Sequence, residues 1–262
     1  MKKYPISVLI ASCDEGYLLE DCLKSLQFCD EIVGVNLESS DNTKALMQQY
    51  CTRYEEHKRV PIVELIHPIY IPQLKHDWIM VIDPDERLTP ALKDDIVNTI
   101  FELPNTIAAV RVPMFNHFKG KKLEHSVYGG LIYFRLLYRK SAIILSENIH
   151  TGIIMKPGFD RIKIPFNGDN YDVHLWSHGW KHLYNKHKRY IDKEGIAQFN
   201  QGKKYSFKSQ FKDTIVKFYY SYKTRRGYKD GLRGFLLSFL AAKYEFGLWN
   251  SLRKFEKIKC AE

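Results

Sequence analysis

The feature that most limits how this chain can fold is a series of short apolar runs in its first third, separated by stretches of helical periodicity. Residues 6–11, 32–35, 62–66 and 78–82 are rich in Val and Ile and bounded by polar residues. Runs this short read as strands buried on both faces. After the first of them, Leu18, Leu19, Cys22, Leu23 and Leu26 recur at helical spacing. Ser39-Ser40-Asp41 supplies N-cap chemistry for a helix running to about Tyr54. Thr89-Pro90 starts another helix through about Phe101, with proline in the first turn, where its missing N–H costs nothing. Strands that alternate with helices need crossover connections, so the expectation is an α/β chain around a mainly parallel central sheet.

The texture changes beyond Pro104. Residues 107–114, 131–138 and 149–155 look like strands of a more mixed region, and helical periodicity returns after about Trp180. This divides the chain into an α/β body, residues 1–180, with halves at 1–103 and 104–180, and a helical region, residues 181–262. The net charge of +10 divides unevenly along the same line: the body has 20 Lys and Arg against 23 Asp and Glu, and the last region 20 against 7. That last region also holds 17 of the 36 aromatic residues. Phe207, Phe211, Ile215, Phe218 and Tyr222 fall on one face of a helix over residues 206–222, and a second, strongly apolar helix follows Lys223-Thr224-Arg225-Arg226-Gly227-Tyr228-Lys229. A basic, aromatic, amphipathic region of this kind suits an anionic membrane surface. A nucleic-acid-binding tail is the competing reading, but stacking platforms for bases should be interleaved with the basic residues, whereas these aromatics fall on an apolar stripe.

No run of about eighteen uncharged apolar residues is present; residues 232–249 come nearest and contain Arg233, Lys243 and Glu245. Five cysteines without paired spacing, and no secretory leader, suggest reduced thiols in a cytoplasmic protein. Neither a Walker pattern nor G-x-G-x-x-G occurs, which counts against kinases and NAD(P) enzymes.

The run Trp78–Ile82 ends in Asp83-Pro84-Asp85-Glu86. Proline fixes its own φ and lacks an N–H, so the chain should leave the sheet as a stiff turn with two carboxylates close together. An isolated Asp-x-Asp is also a common solvated loop sequence. Close carboxylates repel unless a cation sits between them, and Mg²⁺ or Mn²⁺ is held by few carboxylates, completing its shell with water and phosphate oxygens.

Three segments in order carry a resemblance. Residues 5–15, then Asp30-Glu31-Ile32-Val33 leading into Glu38-Ser39-Ser40-Asp41-Asn42-Thr43, then residues 78–87, resemble the family 2 glycosyltransferases of GT-A fold, and most closely the subgroup that builds lipopolysaccharide core and related glycans. Weaker likeness extends through His117-Phe118-Lys119-Gly120, His125, Arg135-Leu136-Leu137, Ile149-His150, His174 and Arg233-Gly234-Phe235-Leu236. The resemblance implies an inverting, metal-dependent hexosyltransferase that takes a nucleotide-sugar donor, a UDP-sugar by expectation. Donor contacts would come from Ala11, Ser12, Asp14, Glu15, Asn36, Asp41 and Asp83, and metal ligands from Asp83, Asp85 and a late histidine, His174. The acceptor would be a lipid-linked or lipopolysaccharide-type glycan, met by a peripheral enzyme at the inner face of the cytoplasmic membrane, with no nucleic acid as partner.

The base that takes the acceptor proton falls on Glu147 or His150, with Asp169 or Asp172 as a third possibility. Threonine stands at 151, where the subgroup often has an acid, and asparagine at 36, where many relatives have aspartate. Both departures leave open a catalytically inactive scaffold of the same fold. His174, His178 and His182 share i, i+4, i+8 spacing, but His174 follows a predicted strand, so one zinc-binding helix face is not expected.

Overall fold

A computed structural model describes residues 2–145 and 153–259. The chain forms two compact units, one made of residues 1–114 and 132–174, the other of 115–131 and 175–262.

The first unit is α/β. Its strands are β1 (Tyr4–Ser12), β2 (Cys29–Asn36), β3 (Arg53–Glu56), β4 (Trp78–Ile82) and β5 (Glu86–Leu88), interleaved with α1 (Gly16–Ser25), α2 (Thr43–Tyr50), the single turn α3 (His67–Tyr70) and α4 (Pro90–Ile100). The chain continues through β6 (Ile107–Phe118), a two-residue β7 (Lys121–Lys122), β8 (Ile132–Arg139), β9 (Ile143–Leu145), β10 (Ile153–Met155), β11 (Asp160–Lys163) and β12 (Asp172–Ser177). The order β3-β2-β1-β4-β8-β6 gives a mixed sheet. β1 pairs parallel with both β2 and β4, and β8 pairs antiparallel with β4 and β6. Alternation along β1 sends Ile6, Val8 and Ile10 to the face covered by Leu19, Leu23, Leu92 and Ile96, and Leu9 to the opposite face with Val33, Ile66 and Ile71. Thr89 caps α4 by accepting from the Leu92 N–H, as the Thr89-Pro90 start implies.

Two elements differ from the sequence reading. The helix expected to reach Tyr54 stops at Tyr50, and residues 53–56 become the edge strand β3. The expected third strand, residues 62–66, is instead a 3₁₀ turn over Val63–Ile66 leading into α3. Prolines at 61 and 68 confine that run, and a short apolar run alone does not separate a buried strand from a buried turn. The charged sequence Arg53-Tyr54-Glu55-Glu56 suits an edge, where charges discourage further pairing. Of the strand expected over residues 149–155, Ile153–Met155 is β10, and 149–152 lie outside the described residues.

The second unit is mostly helical: α5 (Trp180–Asn200), α6 (Phe207–Tyr219) and α7 (Gly231–Lys259), with a π-helical turn after α6. Its core gathers Phe118, Leu123, Leu183 and Leu237. Lys119 and Gly120 both have positive φ and close the tight β6–β7 hairpin of the His117-Phe118-Lys119-Gly120 segment. In α6 and the first half of α7, Phe207, Phe211, Ile215, Tyr219, Leu232, Phe235 and Phe239 stay exposed, Leu232 at 74%.

A Cβ at Gly234, in the first turns of α7, would lie 1.8 Å from the Gly227 carbonyl oxygen, a backbone atom that cannot swing away. Gly234→Ala should therefore cost about 3 kcal/mol in chemical denaturation, the scale of an overpacked core. His187 donates to or accepts from Tyr128 through Nε2 at 3.3 Å, while its buried Nδ1 has no hydrogen-bond partner among the described residues, and burial holds its pKa down to about 4 against an ordinary 6.5. Between those values the unfolded chain binds more protons than the folded one, so this stability contribution is present above about pH 6.5 and lost as pH falls toward 4. His187→Gln should flatten the fall of the melting midpoint across that window.

Candidate functional site

Register places the carboxyl ends of three strands at one edge: Ser12 of β1 pairs with Asn36 of β2, and Ile10 of β1 with Ile82 of β4. Ligands of open α/β sheets bind where loops leave such an edge. The loops after β1 and β2 hold each other. Asp14 and Glu38 adopt positive φ (57° and 54°), costly for residues with a Cβ unless their surroundings hold them there. The Asp14 N–H donates to Ser39 Oγ at 3.0 Å, Ser40 N and Oγ donate to Asp14 Oδ1 at 2.7 and 3.0 Å, and Arg59 Nη2 meets Asp14 Oδ2 at 2.7 Å. The Ser40 hydrogen bonds in particular hold the Asp14 carboxyl below its ordinary pKa. Asp41 bridges the same loops by accepting from Gly16 N at 2.8 Å and Thr43 N at 3.0 Å. The expected N-cap role of residues 39–41 is replaced by this bridge; α2 begins after Asn42, without a side-chain cap.

Asn36, expected to touch the donor, is 2% exposed and committed inward. Its Nδ2 donates to Glu56 Oε2 at 2.8 Å and to Tyr54 Oη at 3.4 Å, and its Oδ1 accepts from Ser39 N at 3.1 Å. An amide can donate to a carboxylate while accepting from a backbone N–H, which an aspartate at 36 facing Glu56 could not do without like-charge repulsion.

Beyond β4, the acidic turn closes on itself: Glu86 N donates to Asp83 O at 3.0 Å and Asp83 N to Glu86 Oε2 at 3.2 Å. Asp83 is exposed and Asp85 half-buried, while Pro84 and Glu86 are buried. β12 pairs antiparallel with β5, setting His174 opposite Glu86, and His174 Nε2 lies 3.3 Å from Asp85 Oδ2. Asp83, Asp85, Glu15, Ala11 and Ser12 share a cleft of about 250 Å³. Burial, then the charges of Asp85 and Asp83, raise the Glu15 pKa to about 7. Behind the turn, Glu86 and Asp172 are buried and both pushed well above the carboxylate range, first by burial and then by neighbouring acids. Asp172 still accepts from Arg87 N at 3.1 Å.

The predicted ligands Asp83, Asp85 and His174 thus gather at one turn, with Glu15 beside them. Glu147 and His150 lie outside the described residues. Of the third pair of candidate bases, Asp172 is fully buried behind the turn and Asp169 is exposed. Among the described residues, no group of three or more His, Cys, Asp or Glu side chains is ready-made as a metal cage. Mg²⁺ and Mn²⁺ seldom use such a cage: one or two carboxylates suffice when phosphate oxygens and water complete the shell. The residues present fit that chemistry, since Asp83 and Asp85 line one open cleft with Glu15, leaving room for phosphate oxygens and water beside the two carboxylates.

A second cavity of the same unit, about 510 Å³, adjoins Asp83 and is lined by Arg111, Arg135, Arg161, Tyr133 and Tyr138 among others. Of these only Arg135 figured in the sequence reading, as part of a likeness. Arg-bearing positions alternating with apolar ones within the strands were the available signal; which arginines meet depends on register.

No family model matches the chain. It is 29% identical over 162 residues to the lipopolysaccharide core biosynthesis glycosyltransferase LpsC of Rhizobium meliloti, the match covering 58% of this chain and 58% of LpsC, so it spans less than two thirds of that relative. Among solved structures, Staphylococcus aureus TarS 1-349 in complex with UDP-GlcNAc aligns over 98% of this chain and 92% of its own, with a TM-score of 0.50 and 12% identity. Glucosyl-3-phosphoglycerate synthase of Mycobacterium tuberculosis, with Mn²⁺, UDP and phosphoglyceric acid, aligns over 52% of this chain and 56% of its own, with a TM-score of 0.38 and 16% identity. With its parallel strands and the acidic turn at their carboxyl edge, the chain has a GT-A fold like that of TarS.

Proposed function

We propose that this protein is an inverting, metal-dependent family 2 glycosyltransferase that moves a sugar from a UDP-sugar donor to a lipid-linked or lipopolysaccharide-type glycan. The carrying observation is the meeting of Asp83, Asp85, Glu15 and His174 at the carboxyl edge, beside loops already braced for a ligand. The sequence likeness to LpsC supports the same reading.

In this reading Ala11, Ser12 and the Asp14–Asp41 loops shape the pocket for base and ribose, with Asn36 acting from behind by holding Ser39 and Glu56 in place. Asp83 and Asp85 hold Mg²⁺ or Mn²⁺, and His174 orients or supplements Asp85. A bound divalent ion supplies Lewis-acid stabilisation of the departing diphosphate. Glu147 or His150 takes the proton from the attacking acceptor hydroxyl. The buried Glu86 fixes the turn's backbone, which keeps both aspartates aimed at the cleft.

Membrane association is part of the proposal. No helix among the described residues is long and apolar enough to cross a membrane. The exposed apolar side chains of α6 and α7 occur with Lys208, Lys212, Lys223, Arg225, Arg226 and Lys229 on the same segment. Apolar insertion together with cationic attraction suits an anionic bilayer surface, as expected for an enzyme at the inner leaflet.

Asp85→Ala should lower transfer, or hydrolysis of a UDP-sugar, by about 10³-fold, equivalent to roughly 4 kcal/mol of transition-state stabilisation. It should also abolish the Mn²⁺-dependent rise in melting temperature with UDP; retained activity would refute the metal assignment. Replacing exposed Leu232 and Phe239 by Asp should reduce co-sedimentation with phosphatidylglycerol vesicles at least about tenfold, since each forfeits roughly 1.5–3 kcal/mol of burial. Equal vesicle binding by wild type and variant would remove the membrane surface from the proposal.

A further inference from the structure

We infer that the arginine-lined cavity beside Asp83 binds the acceptor through an anionic group, a phosphate or carboxylate on the acceptor sugar; this rests on the glycosyltransferase reading above. The cavity meets the donor cleft only at Val63 and Asp83, the position an acceptor needs if its hydroxyl is to reach the donor sugar. Its floor concentrates positive charge in an unusual way. Arg111 of β6 pairs directly with Arg135 of β8, and on its other side with Lys163 of β11. Like charges placed opposite one another destabilise a sheet, so a row of three calls for a compensating anion.

Among the described residues, Arg111, Arg135 and Arg161 form no ion pair with a carboxylate. Arg111 instead donates through Nε and Nη2 to the Tyr133 carbonyl, which fixes the guanidinium plane without neutralising it. Of the acids lining the cavity, Glu86 accepts from the Asp83 N–H, Asp83 belongs to the acidic turn, and Glu64 makes no ion pair with these arginines among the described residues. A break in register between Val110 and Arg111 aims this row. It leaves both Leu136 and Leu137 in the core while Arg135 pairs with Arg111 beside the cavity. Bulges that re-aim a side chain in this way are frequent next to active sites. Planar guanidiniums suit bidentate capture of phosphate or carboxylate, and Tyr133 and Phe134 line the same cavity.

The test is calorimetric titration of the full chain with glucose 6-phosphate, glucuronic acid and glucose, and separately with UDP plus Mn²⁺. The first two should bind at least tenfold more tightly than glucose, and whichever is tighter identifies phosphate or carboxylate as the group. Arg135→Gln should lose that preference, as should Arg161→Gln, which sits on the exposed strand β11 and guards against a folding defect, while both keep UDP–Mn²⁺ affinity. Equal binding of glucose, or unchanged sugar-phosphate binding by both variants, would overturn the inference. So would loss of UDP affinity alone, which would make the arginines diphosphate ligands of the donor. If wild type binds the anionic sugars through these arginines but not UDP–Mn²⁺, the glycosyltransferase reading fails and the anion pocket stands.

Discussion

The rest of the site depends on the crowding of five carboxyl groups, Glu15, Asp83, Asp85, Glu86 and Asp172, around the carboxyl end of β4. Five charges could not coexist there in a partly buried setting, because each raises the cost of ionising its neighbours. The structure separates them by depth. Glu86 and Asp172 are buried, with their pKa values pushed up first by burial, and they accept from backbone N–H groups to brace the turn and Arg87. Asp83 and Asp85 stand forward in contact with the cleft, with Glu15 near the midpoint of its titration at neutral pH. The forward charge is what a divalent cation would neutralise.

Rigidity at this edge comes from side chains gripping loops rather than from helix caps. Asp14 and Asp41 each bind backbone N–H groups across the gap between the two loops, and Asn36 ties the second loop to β3 through Glu56. Two non-glycine residues held at positive φ are tolerable only inside such a mesh. The cost is borne so that the loops keep one shape before any ligand arrives, which spares binding the entropy of ordering them.

Much of the first unit could be read from sequence because its strands are buried on both faces and their composition announces it. β1, β2 and β4, α1, α4 and the acidic turn all lie where the apolar runs, the helical spacing and Thr89-Pro90 put them. The run at 62–66 could not be read this way, since burial of a short turn and of a strand leave the same apolar signature. β3 was hidden for the opposite reason: as an edge strand it is polar, and its pairing with β2 comes from its position rather than its composition. The apolar stripe expected on residues 206–222 exists, but much of it remains exposed in the second unit.

By itself the sequence determined the types of residue available and their local order: carboxylates after a buried strand, braced turns after two others, and a basic aromatic region at the end. Those follow from short-range rules of periodicity, proline geometry and capping, which act within a few residues. Only the tertiary structure decided which groups meet. His174 reaches Asp85 because β12 pairs with β5 some ninety residues earlier in the chain, and Arg111 faces Arg135 because of one register shift between β6 and β8. Depth was decided at the same level: Asp83 is exposed while Glu86 is buried, its pKa raised first by burial and then by neighbouring acids, and depth is a property of the assembled sheet.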